Sequence, residues 1–174
     1  GVAVSAGFQG LDALGVPVSW LAERTVWSTG LGTSFGWTVL AALAALVLAA
    51  AALAASGVPA RILSAAALFG AGLALALSGH ASAAAPQWLM RPAVFLHVVS
   101  AAFWAGALLP LGLALRRDLP GARAGLLRFS AAIPPLLLLL VAAGVVLAVV
   151  QVERPAALVD TAYGRVLLAK LALL

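Results

Sequence analysis

No cysteine occurs in the 174 residues. That excludes disulfides, thiolate metal sites and cysteine-based catalysis, and it leaves the redox compartment open. Charge is scarce as well: 9% of the residues are charged, and only five are acidic. A soluble domain carries about 25% charged residues, so a water-facing surface cannot be built from this supply. Among the acidic residues, Asp118 and Glu153 fall in loops between apolar runs, and no paired carboxylates sit inside one. No phosphate-binding loop, nucleophile elbow or dinucleotide fingerprint is present, so an enzyme is not expected. Methionine and tyrosine occur once each and histidine twice, which leaves few side chains able to do chemistry.

What the chain has instead is apolar length. It is 65% hydrophobic, with a mean hydropathy of +1.17. This is the composition of a membrane protein rather than a soluble one. The net charge of +5 invites a nucleic-acid reading, but the basic residues sit singly or in one short cluster, 116-RRDLPGAR-123, between apolar runs. Such a cluster reads as a topology signal, and no nucleic-acid partner is expected. The partner that composition does imply is the lipid bilayer.

A helix needs about 20 apolar residues to cross the hydrocarbon core. Uncharged runs give four complete spans, at about 38–55, 62–79, 93–115 and 129–150. Residues 1–14 and 165–174 read as partial spans. The runs are continuous rather than alternating and too long for barrel strands, so an all-α transmembrane bundle is predicted. Gly57 with Pro59, Pro86, Arg91 with Pro92, and Pro120 with Gly121 punctuate the spans. Pro134 and Pro135 fall inside the fourth, where a bend is expected. The chain opens Gly-Val-Ala and closes within an apolar run, which reads as a fragment of a longer membrane protein.

Lys and Arg near the span ends set orientation. One side holds Arg61, Arg116, Arg117, Arg123 and Arg128, and the other Arg24, Arg91, Arg154 and Arg165. The dense 116–128 hairpin is therefore placed in the cytoplasm and the 80–92 loop outside. Trp20, Trp27, Trp37 and Trp88 then fall near the outer boundary, as an aromatic belt would have them.

The segments 33-TSFGWTVLAALAAL-46 and 161-TAYGRVLLAKLALL-174 are identical at seven of fourteen positions. Their shared Thr-x-aromatic-Gly start is the informative part. It suggests a unit duplicated with a period of four helices, and hence a parent of about eight spans, an arrangement common in transporters.

The two histidines carry the functional reading. His80 closes the second span, where Gly72, Ala76 and His80 share one face at a spacing that lets a neighbouring helix come close. His97 lies about five residues into the third span, about 7 Å along its axis. Met90, Ala93, His97, Ser100 and Trp104 form a stripe of that helix, mostly of small residues, which should face protein. An ionisable group inside a span marks a functional site by default. The second and third spans run antiparallel, so both imidazoles belong to the outer half of the membrane. Met90 is expected at the rim. Imidazole nitrogen with thioether sulfur suits copper, Cu(I) in particular, although Cu(II) stays open. Ser100, Trp104 and Asp12 are the candidate pathway residues. Asp12 reads as lying just inside a span or at its outer end.

The stretches 79-GHA-81, 96-LHVVSAAFWAGALLPL-111 and 161-TAYGRVLLAKLAL-173 resemble the copper resistance protein D (CopD) family, including its fusions with CopC domains. The resemblance implies a multi-span protein of the bacterial inner membrane, of about eight helices. It implies copper movement from the periplasm towards the cytoplasm, with a periplasmic copper-binding partner of the CopC type. His80 and His97 match the family's histidine positions. Two other readings stay open on the residues alone. One is a bis-histidine haem protein that passes electrons, and the other is a copper-binding scaffold for metalloenzyme assembly.

Overall fold

A computed structural model describes residues 2–79, 83–152 and 156–172. Among these the chain is helical throughout, with no strand. Helix α1 spans Val2–Leu14, and after a 3-10 turn at Val18–Ala22 comes α2, Arg24–Gly32. The long helices follow: α3, Ser34–Ala54; α4, Gly57–Leu77; α5, Gln87–Arg116; and α6, Ala122–Gln151. A single turn, α7 at Ala157–Asp160, leads to α8, Ala162–Ala172.

Helices α3 to α6 are the four long and apolar enough to cross a membrane, with mean hydropathy between 1.8 and 2.8. They coincide with the four predicted spans to within two residues at the ends of α3 and α4 and extend beyond them elsewhere. At 30 residues each, α5 and α6 run about 45 Å, well beyond the roughly 30 Å hydrocarbon core. The third helix starts earlier than hydropathy indicates. Pro92, expected to help break the chain, lies inside α5, and the break falls at Pro86. Hydropathy senses the depth of oil, whereas a helix continues into the interface wherever its backbone can bond to itself.

Packing follows chain order: α3 against α4, α4 against α5, and α5 against α6, with α1 and α2 clustered at the start of α3. The outward faces are apolar and exposed, as at Val47, Leu53, Leu109 and Leu138. Lipid satisfies such surface, so what holds the helices together is close fit rather than water avoidance.

Small residues make that fit. Gly72 of α4 lies so near α5 that a Cβ there would come within 2.5 Å of Val99 Cγ2 and 3.1 Å of the Phe95 ring. Phe69 and Phe95 add a ring contact across the same seam, with centroids 5.7 Å apart. Between α1 and α2 the backbones themselves touch. A Cβ on Gly10 would overlap the Val26 carbonyl, and one on Gly30 would overlap that of Ala6. Ala6 with Gly10, and Val26 with Gly30, are small or buried pairs one turn apart, the spacing of close helix crossings. The stretch between the partial span at 1–14 and the span at about 38–55 is therefore largely helix, docked through glycine.

The repeated Thr-x-aromatic-Gly segments build the same local device. Thr33 Oγ1 donates to the Gly30 carbonyl at 2.7 Å, and Thr161 Oγ1 donates to that of Ala157 at 2.6 Å. Three residues on, Gly36 and Gly164 press against the preceding short helix, where a Cβ would overlap the carbonyls of Leu31 and Ala157 respectively. In both places a short helix is folded back onto the first turn of the next one.

Candidate metal site on the third spanning helix

His97 lies ten residues after the start of α5, about 15 Å along its axis from that end. Phe95 and Val99 point to α4, and His97 is turned to α6. Its Nδ1 lies 3.1 Å from the Leu140 carbonyl oxygen. The ring also rests on Gly144 one turn further along, where a Cβ would stand 3.3 Å from Cε1 and 3.4 Å from Nδ1. A larger residue at 144 would contest the space the imidazole occupies.

The bond to Leu140 has a chemical consequence. A carbonyl oxygen only accepts, so Nδ1 must carry the hydrogen. In the neutral ring Nε2 then keeps its lone pair, with no protein partner among the described residues. Metal-binding histidines are commonly held this way, the second nitrogen tied to a carbonyl that fixes tautomer and ring orientation.

Ser100 follows one turn after His97 and is 1% exposed, yet its Oγ has no hydrogen-bond partner. It borders a cavity of about 10 Å³ that Trp104 of α5 and Ile133, Leu136, Leu137 and Leu140 of α6 complete. That is about the space one water needs. A buried hydroxyl without a partner costs free energy. Thr38 Oγ1 on α3 is buried and unpartnered in the same way.

The other candidates are placed as follows. Met90 is 0% exposed. It lies in the first turn of α5. Asp12 is exposed in the last turn of α1. Trp104 is half-buried at the cavity. His80 lies outside the described residues, and so do Glu153 and Arg154. Among the described residues no cluster of three or more His, Cys, Asp or Glu side chains exists. Sequence reasoning missed Leu140 and Gly144. A main-chain carbonyl has no sequence signature, and Gly144 stood inside an unbroken apolar run.

Residues 123–174 match the model of the family described as copper resistance protein D, the family the sequence resembles. The matched stretch runs through α6 to the end of the chain, so it includes Leu140 and Gly144 and stops short of His97. No curated protein and no solved structure matches the chain. The four spanning helices describe a multi-pass membrane protein, and the match shows that its 123–174 segment is similar to the copper resistance protein D family.

Proposed function

We propose that the protein moves copper ions across the bacterial inner membrane towards the cytoplasm, with His97 as a ligand on the route. The observation that carries this is the Nδ1 contact with Leu140, which leaves Nε2 free inside a membrane-spanning helix. A neutral imidazole is far less costly to bury than a charged group, and nitrogen is a good donor to copper. The unpartnered Ser100 hydroxyl one turn deeper offers the next polar contact on the same side of α5. His80, seven residues ahead of α5 in the sequence, is the second ligand in this proposal. Copper would be handed over there by a periplasmic partner of the CopC type. No covalent step belongs to such a role, and the protein is not an enzyme in this reading.

Copper uptake into proteoliposomes tests it. The wild-type protein is expected to load the vesicle interior with copper, and His97→Ala is expected to cut the rate at least about ten-fold, the usual scale for losing a metal contact. Binding without uptake would make the protein a scaffold. Uptake unchanged by His97→Ala would remove the histidine from the route.

A further inference from the structure

Away from His97, α5 and α6 enclose a second hollow near the arginine-rich hairpin. It is a groove of about 410 Å³. Phe103, Ala107 and Pro110 of α5 form one wall, and Gly125, Arg128 and Phe129 of α6 form the other. Phe103 and Phe129 close its deeper end as stacked rings, with centroids 6.2 Å apart. Gly125 keeps the upper part open, since it offers no side chain of its own. Arg128 is the one charged residue of the lining, and the others are apolar.

Arg128 lies seven residues beyond the Gly121 cap of α6, about 10 Å along the axis. Among the described residues no carboxylate pairs with it. Asp118 is the one acidic residue between 116 and 128, set against Arg116, Arg117, Arg123 and Arg128. The groove therefore joins an apolar trough to an unpaired cation, with further positive charge in the adjoining 116–123 hairpin. Basic hollows between spanning helices on the cytoplasmic side recognise anionic lipid headgroups.

We propose that this groove is a binding site for one anionic phospholipid. The phosphate pairs with Arg128, and an acyl chain lies over Ala107 and Pro110 down to the Phe103–Phe129 stack. A neutral lipid would leave the guanidinium without a counter-charge, and a free phosphate would leave the trough uncovered.

Native mass spectrometry of the purified full chain tests this, with phosphatidylglycerol and phosphatidylcholine of identical acyl chains supplied together. One phosphatidylglycerol should be retained in preference by about five-fold or more, the scale of one basic contact near a membrane surface. The preference should vanish in Arg128→Gln and persist in Arg24→Gln, which lies outside the groove. Ala107→Phe fills the trough with every charge intact and should also release the lipid. Circular dichroism and a monodisperse elution profile check that each variant is folded. If Arg128→Gln does not fold, Ala107→Phe decides. Several results would overturn the proposal: equal retention of the two lipids, a preference that survives either groove variant, or displacement by glycerol 3-phosphate at matching concentration. A dimer that excludes lipid and is broken by Ala107→Phe would overturn it too, by assigning the groove to a second copy.

Discussion

At His97 a single hydrogen bond decides which ring nitrogen is left for a metal. The Leu140 carbonyl takes the Nδ1 hydrogen, and Gly144 provides the room for the ring to lie there. Replacing Gly144 with alanine removes no ligand atom, but its Cβ would press within 3.3 Å of the ring. The imidazole must tilt, and the bond to Leu140 weakens. Copper affinity is expected to fall about ten-fold while the helical content stays constant, as measured by competition with a chelator. Ser100 gives an independent check. If its hydroxyl is unpartnered, Ser100→Ala should leave the thermal midpoint unchanged or raise stability by up to about 1 kcal/mol. A fall would show that the hydroxyl holds a water or an ion in the cavity. The sequence disclosed that His97 sits on the protein-facing stripe of its helix, because periodicity reports a face. It did not disclose which neighbour that face meets, and the answer turned out to be α6.

The packing of one helix on another depends here on glycine. At Gly72, leucine would drive its side chain into Val99 and Phe95 and push α4 off α5. A loss of about 1–3 kcal/mol is expected for such overpacking, read as a lower midpoint in detergent. Gly30→Ala should separate α2 from α1 by the same logic, since its Cβ would meet the Ala6 carbonyl, a group that cannot rotate away. Limited proteolysis between residues 15 and 33 should then quicken. The four spans were legible because about 20 uncharged residues in a row leave few alternatives. The α1–α2 pair was not, since its contact is made of backbone atoms that hydropathy does not weigh. The Thr-x-aromatic-Gly likeness was legible as letters, and the structure gives it a shared shape at Thr33 and Thr161.

Among the described residues the spanning helices pack in chain order, and the arginines of the 116–128 hairpin are expected to set which end faces the cytoplasm. The hairpin's left-handed Gly121, at φ 82°, lets α6 turn back directly along α5. Because the chain has no cysteine, single cysteines report sidedness without background. One at Leu119 should react with a membrane-impermeant maleimide only in inverted vesicles, and one at Ala84 only in right-side-out vesicles. The opposite pattern would reverse the direction assigned to transport. Neither ends nor partners enter that test, which depends on the hairpin alone.

Copper binding by the intact purified protein probes the role of His97 most directly. Stoichiometry and affinity are compared in the wild type and in His97→Ala, with Glu23→Gln as an exposed control. We expect His97→Ala to lose at least about ten-fold in affinity and Glu23→Gln to match the wild type. Equal stoichiometry and equal affinity in all three proteins would contradict the account and leave His97 a histidine that merely ties α5 to α6.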